Sequence, residues 1–415
     1  MKWHSPVEPS RFDQAQPMVL RFRSHLAGHG IGSGFARDDR ARYLKAMRIH
    51  SIEPVAIDIP LTRNFGGATY SVLKRSTVIT RLRTEDGLEA QVYNGDNRDH
   101  GPGIARIIRD VLAPIAVGMD IFDTAETWRR MFAATVAFAD KKLIMEAIAC
   151  VDCAVWDAVG RAKGKSVSAM LGADRPEVPI ISIGGYYLPG KTMDEIAAEM
   201  IAYREAGMAG CKFKVGGLSP EEDAERTRIA RQAAGDAFVL AVDANRGWSV
   251  EDAVRFAGLV QDLNIAWFEE PCHWYDDAAM MADVRRQTQI PISAGQSEIT
   301  HHGVRRLINA GAVDLVNVDA SETGGVTDWR RSADLCAKAK IRMGHHEESQ
   351  IAIHLLSGVP HGTNVECFAD PARDPVWQDL WVNRPPIRDG NMQVPTGPGF
   401  DIELDEGLIR KFRTG

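Results

Sequence analysis

The chain has 415 residues, 45% hydrophobic and 25% charged, with 49 basic and 56 acidic side chains for a formal charge of −7. Those proportions exclude a mostly disordered, collagenous or disulfide-framework protein, and the acidic balance argues against nucleic acid as a partner. No apolar run reaches the roughly 18 to 20 residues of a membrane-spanning helix, so no membrane partner is expected either.

At about 150 residues per domain the length predicts two to three domains. Residues 1–46 are patchy (RFRSHLAGHGIGSGFARDD) and lack the apolar core of a secretory leader, so they read as a disordered N-terminal extension. Met47 then opens a strand-like run, RIHSIEPVAIDIPL. Within 47–175, strands precede helices. STVITRLRTEDGLEAQVYNGD carries a hairpin signal at Glu85 to Gly87, and KLIMEAIACVDCAVWDAVGRAKG has small residues at tight-packing helical spacing. This predicts a separate α+β domain.

The texture changes over 176–369. Eight apolar runs (PIISIGGYY, CKFKVGG, FVLAVDAN, IAWFEEP, PISAGQ, VDLVNVDA, IRMGHH and TNVECF) alternate with amphipathic, Ala-rich stretches such as MDEIAAEMIAYREAG and PEEDAERTRIARQAAG. Their spacing of about 20 to 30 residues is that of eight βα units, and continuously apolar strands suit burial on both faces. The fold class is therefore α/β, a (β/α)8 TIM-type barrel. A doubly wound sheet is second, disfavoured because no G-x-G-x-x-G follows the first strand. Residues 370–415 are Pro-rich and loop-like, and are expected to pack back on the N-terminal domain. The scattered cysteines, Cys211, Cys272, Cys336 and Cys367 among them, suggest a reduced cytoplasmic setting.

Barrel enzymes place their chemistry at the carboxyl ends of the strands. Those positions here hold Lys212 and Lys214, Asp243 and Asn245, Glu269 and Glu270, Gln296 and Glu298, Asp319, His345 and His346, and Glu366. Lys212 and Lys214 share a strand face, and two adjacent ammoniums are expected to lower each other's pKa towards a neutral base. Asp243, Glu269 and Gln296, at three adjacent strand ends, offer oxygen ligands to a hard divalent cation, most simply Mg²⁺. Asp319 beside His346 is expected to fix the imidazole tautomer and raise its basicity, giving a second acid/base opposite the lysines.

Together these residues resemble the enolase superfamily, and within it the mandelate racemase group. The resemblance runs from about Met47 to the C-terminus through DCAVWDAVGRAKGKSVSAMLG, KFK, VDAN, WFEEP, VDASETGG and the HH before ESQIAIHL. It implies an N-terminal capping domain completed by the C-terminal segment, and a homo-oligomer between a dimer and an octamer. Lys214 becomes the base on one face, with Lys212 near the substrate carboxylate. Asp243 and Glu269 become ligands of Mg²⁺, and His346, backed by Asp319, the acid/base on the other face. Glu270 is read as support behind the ligands.

Two positions depart from the group's pattern. Gln296 stands where a third carboxylate ligand is usual, with Glu298 as the alternative if the strand continues. Gln350 stands where the racemases carry a Glu against the substrate carboxylate, which argues against mandelate racemase activity itself. Substrate recognition is assigned to Asn245, Arg246, Trp248 and Glu366 at the mouth and to Arg63 and Asn64 in the LTRNFGG loop. The small-molecule carboxylate partner is then a sugar acid dehydrated to a 2-keto-3-deoxy acid. An α-hydroxy-acid racemase or epimerase, a non-catalytic binding barrel, and a glycoside hydrolase using Glu269 and Glu366 are the rivals.

Overall fold

Long alternation of Ile, Val and Thr with exposed residues builds the first sheet: β1 (Ile49–Gly66), β2 (Ser71–Thr84) and β3 (Glu89–Asn94), antiparallel in that order. The computed structural model describes residues 46–273 and 276–414, so the N-terminal extension lies outside the described residues apart from Ala46. The Glu85 to Gly87 hairpin is present: the Gly87 amide donates to the Thr84 carbonyl at 3.0 Å, and Gly87 holds φ +88°, which a side chain would resist. Arg83 pairs with Glu89 across the turn.

One helix, Lys141–Lys163, covers this sheet. Asp140 caps its start by accepting from the Leu143 amide at 3.0 Å, and Gly164 ends it at φ +61°. Every residue from Ile144 to Gly160 is buried, so the helix is covered on all sides because it lies between sheet and barrel. Cys150 and Cys153 on this helix form a C-x-x-C pair that the reading of scattered cysteines overlooks. Both are free and buried, and burial pushes both thiols up, so the spacing reflects packing and not redox chemistry.

The barrel strands are β4 (Glu177–Gly184), β5 (Gly210–Lys214), β6 (Val239–Asp243), β7 (Ile265–Glu269), β8 (Ile292–Ala294), β9 (Leu315–Val316), β10 (Arg342–Met343) and β11 (Val365–Cys367). Each pairs in parallel with the next from β4 to β10, and β11 pairs with β4. A bridge from Met343 to Gly362 ties β10 to the chain entering β11 and closes the ring. The two Ala-rich stretches are the helices Met193–Glu205 and Pro220–Ala234. Each opens with a capping box, Thr192 with Glu195 and Ser219 with Glu222.

The C-terminal segment is more ordered than its loop-like sequence suggests. β12 (Ile387–Arg388) and β13 (Asn391–Gln393) form a hairpin on β4, and β14 (Arg413–Thr414) adds an edge strand to β1. Strands of two or three residues are too short to show a period, which is why the sequence hides them.

Two buried polar ties join the cap to the barrel. Asp152 accepts from the Thr327 amide at 2.9 Å and the Thr327 hydroxyl at 2.7 Å. Gly325, at φ +93°, lets the chain pass that carboxylate, where a Cβ would sit 2.4 Å from Oδ2. Arg75 of β2, 2% exposed, donates to Asp374 of the C-terminal segment at 3.1 Å and to Glu348 of the barrel at 3.0 Å. Arg75→Met strands two buried carboxylates and is expected to destabilise the protein by about 3 to 5 kcal/mol. A urea midpoint indistinguishable from wild type would show that Arg75 is not a tie.

Candidate active site

Register brings the barrel charges together. Lys214 lies opposite Asp243, and Asp243 opposite Glu269, so three neighbouring strands end at one level. Lys214 Nζ donates to Asp243 Oδ2 at 2.6 Å and to Asn245 Oδ1 at 2.9 Å. Lys212, on the same face two residues deeper, donates to Glu269 Oε1 at 2.8 Å and Glu366 Oε2 at 2.9 Å. Burial alone would lower both lysine pKa values, but the carboxylates outweigh it: Glu269 and Glu366 around Lys212, Asp243 beside Lys214. Both lysines are held above their ordinary value. The expectation that paired lysines lower one another is thereby corrected: their mutual repulsion is the smaller effect.

β5 and β9 are four strands apart in an eight-stranded ring, so the chemistry after β9 faces the lysines across the mouth. There His346 Nδ1 lies 3.2 Å from Asp319 Oδ2, and Asp319 Oδ1 accepts from the Ser321 amide at 2.7 Å. Burial and the Lys212 and Lys214 charges push His346 well below its ordinary value, so Asp319 fails to make it more basic as the sequence reading expects. His345 is structural. It accepts from the Ala320 amide at 3.0 Å through Nε2 and donates to the His346 carbonyl at 2.9 Å through Nδ1.

A cavity of about 650 Å³ opens above these groups, and Lys214, Asn245, Arg246, Glu270, Gln296, Asp319 and His346 all line it. Lys212, Asp243, Glu269 and Glu366 lie beneath, at most 2% exposed. The shared Lys212 ammonium ties Glu269 and Glu366 into one ion cluster, which leaves no acid and base pair for a glycoside hydrolase.

Five sequence expectations are corrected. Arg63 and Asn64 line a different cavity, where Arg63 pairs with Asp370 at 2.6 Å and Asn64 donates to Ser71 at 3.3 Å. Trp248 is packed against Phe256 and Phe268 in the core. Glu298 pairs with Arg306 at 2.7 Å, because β8 ends at Ala294 and strand alternation stops before it. Gln350 is buried on a helix and donates to the Tyr93 carbonyl and Glu348, away from the mouth. Its difference from the racemases therefore says nothing about substrate. Glu366 serves Lys212 and lines no part of the mouth cavity.

Other residues at the mouth escape the sequence reading. Tyr70, Asn97, Arg98 and His100 come from cap loops, Arg373 from the C-terminal segment and Glu347 from the turn after His346. The polar run YNGDNRDH at the end of β3 signals Asn97, Arg98 and His100, and the HHEES run signals Glu347; neither contains Tyr70 or Arg373.

For a cation, no three Asp, Glu, His or Cys side chains converge among the described residues. Asp243 and Glu269 supply two carboxylates in register, and Gln296 adds an amide whose Oε1 is buried without a hydrogen-bond partner. Such a set of hard oxygen donors, one of them unspent, fits a hard divalent cation. Gln296 Nε2 meanwhile donates to Glu270 Oε2 at 2.7 Å, and Glu270 also accepts from Arg246 at 2.8 Å.

Residues 52–172 match the N-terminal domain model of the mandelate racemase/muconate lactonizing enzymes, and residues 195–408 match the enolase C-terminal domain-like model. The chain belongs to the mandelate racemase/muconate lactonizing enzyme family. A family member from a marine actinobacterium, solved in complex with magnesium, is 40% identical with a TM-score of 0.83, over 89% of this chain and all of that one. L-Talarate/galactarate dehydratase of Salmonella typhimurium is 27% identical over 86% of this chain and 87% of its own. Arabinonate dehydratase of Saccharolobus solfataricus is 26% identical over 81% of this chain and 90% of its own. The two dehydratases are hydro-lyases, and cycloisomerases also occur among the relatives.

The buried histidine adjoining the site sets an acid limit on stability. Burial lowers the His345 pKa to about 4, whereas an unfolded histidine titrates near 6.5. The unfolded chain therefore binds this proton first as pH falls. Stability is full above about pH 6.5 and drops by about 3 kcal/mol towards pH 4 from this residue. His345→Gln should flatten the pH 6.5 to 4 slope by one proton in urea titrations, and an unchanged slope would reject the assignment.

Proposed function

We propose that this protein removes the proton α to the carboxylate of a sugar acid and expels the β-hydroxyl, giving a 2-keto-3-deoxy acid. The observation that carries this reading is the opposition of Lys214 and the Asp319–His346 pair across one polar cavity. α-Proton removal on one face and hydroxyl departure on the other require two acid/base groups so placed. The talarate/galactarate and arabinonate dehydratases among the relatives act on substrates of that class.

Asp243, Glu269 and Gln296 would hold Mg²⁺, as the marine actinobacterial relative holds magnesium. The bound ion would supply positive charge to the carboxylate oxygens as the enediolate forms and would relieve Lys214 of the Asp243 charge that keeps it protonated. Lys214 Nζ, as the neutral amine once its own proton has passed to solvent, takes the α-proton, and Lys212, buried below, fixes the carboxylates that surround it. His346 delivers a proton to the β-hydroxyl, and water leaves.

The cavity wall suits a polyhydroxylated acid. Glu322 Oε2 and Asn97 Oδ1 are buried acceptors without hydrogen-bond partners, and their residues line the cavity. Substrate hydroxyls satisfy such atoms, whereas an apolar ligand leaves each unpaired at about 1 to 3 kcal/mol.

Proton NMR in D₂O with a pool of sugar acids and Mg²⁺ is expected to show loss of an α-proton signal and growth of 3-deoxy methylene signals, both abolished by EDTA. Exchange without methylene signals means a racemase or epimerase instead. Absence of exchange with every acid, together with tight binding of one, would mean a non-catalytic barrel. Lys214→Ala is expected to lower turnover at least 100-fold. Gln296→Glu should tighten Mg²⁺ binding at least tenfold by calorimetry, since a third carboxylate replaces an amide; equal affinity would remove Gln296 from the ligand set.

A further inference from the structure

His346 has a carboxylate on each ring nitrogen. Asp319 Oδ2 lies 3.2 Å from Nδ1, and Glu347 Oε1 lies 3.4 Å from Nε2, the nitrogen that Asp319 leaves for the cavity. Glu347 lines the cavity that Lys214 also lines. Its placement is imposed: Glu347 and Glu348 are consecutive non-glycine residues at φ +48° and +47°. Such backbone typically costs about 1 to 3 kcal/mol per residue and persists where the surroundings enforce it. Here the Glu347 amide donates to Glu366 Oε2 at 3.1 Å, and Glu348 accepts from Arg75 at 3.0 Å. Strain at the turn following the candidate acid/base is a constraint that packing alone does not need.

We propose that Glu347 is the proton donor that recharges His346, and so the source of the proton given to the departing β-hydroxyl. This rests on the dehydratase reading. The proton first passes from the Glu347 carboxyl to His346 Nε2. Lys214 Nζ, its resting proton released to solvent, takes the α-proton as a neutral amine, and the C–H electron pair enters the enediolate. The enediolate pair expels the hydroxyl: the Cβ–O bond breaks, its oxygen takes the Nε2 proton, and water leaves. The resulting enol takes a proton from solvent at carbon 3 as its carbon-2 hydroxyl releases one, giving the ketone; Lys214 returns the α-proton to solvent, and solvent restores the Glu347 proton. No oxidant or reductant is needed.

The surroundings of both groups agree with that direction of transfer. Glu347 is faced by Arg75 and Asp96 of the cap, Arg373 of the C-terminal segment, Tyr186 after β4, its neighbour Glu348, and Glu366 and His346 of the barrel. Burial, with Asp96 and Glu348, raises its pKa to about 7 against the two guanidiniums. His346 is pushed the other way, chiefly by burial and then by the lysines. At neutral pH a proton therefore rests on Glu347 before it rests on the imidazole.

The test uses the full-length protein, Mg²⁺ and the sugar acid that wild type dehydrates. Glu347→Gln is expected to lower product formation at least 100-fold while α-deuterium incorporation in D₂O stays within about threefold of wild type. Wild-type product formation should decline above pH 7, and the variant should lack that limb. Product within threefold of wild type, or exchange and product falling together, overturns the proposal. A second measurement covers a variant that fails to fold: ¹³C NMR titration of the glutamate carboxyl carbons in wild type, with Glu347 assigned by Glu347→Asp. A midpoint near 7 supports the proposal, and one below 6 overturns it. The titration needs no substrate, so its outcome is separate from the fate of the dehydratase reading.

Discussion

Lys212 is the interaction on which the rest of the site depends. It is fully buried and donates to Glu269 and Glu366, carried by strands on either side of it, with Asp243 Oδ2 3.9 Å away. Ions without solvent are tolerable only when paired and hydrogen-bonded. One ammonium therefore dictates where three carboxylates from β6, β7 and β11 must stand. Removing it would leave buried charges facing one another at the closure of the barrel. The same requirement places Asp243 within reach of Lys214, which lines the cavity.

Above this ion cluster the barrel has few fixed points of its own, because β9 and β10 are only two residues long. The cap supplies them. Arg75 reaches from β2 to the turn that carries Glu347 and Glu348, and the C-terminal segment locks the same guanidinium through Asp374. The left-handed turn after His346 is thus held from three parts of the chain. That explains how two adjacent glutamates occupy a conformation each would avoid in isolation.

The fold was legible because its signals are periodic. Eight apolar runs at even spacing announce eight strands, and the Ala-rich stretches between them carry capping boxes. Strand-end chemistry was legible for the same reason: Lys214 and Asp243 are placed by strand register, and Asp319 and His346 each follow three residues after the end of adjacent strands β9 and β10. Legibility ended where the backbone leaves regular structure. Glu298 follows the end of β8, Gln350 enters a helix, and Arg63 lies late in an irregular stretch of β1, where pairing jumps between Pro60 and Phe65. Periodicity assigns no direction to such side chains. Glu347 was missed because its importance comes from a backbone turn and from Arg75, 272 residues earlier in the sequence.

Proton positions escape pairwise rules for a different reason. The sequence shows Lys beside Lys and Asp beside His, and pairwise rules then predict a neutral amine and a more basic imidazole. Enclosed carboxylate charge reverses the first outcome and burial reverses the second, because each group responds to its desolvation and to every charge enclosed with it. Asp243 keeps the proton on Lys214, and the two lysine charges keep one off His346. The two faces of the cavity are therefore coupled through the lysines: drawing Asp243 away from Lys214 lowers the amine pKa, and loss of that ammonium charge lets the imidazole hold a proton more readily. A change in charge at Asp243 and Glu269 would by this coupling redistribute protons between Lys214 and His346.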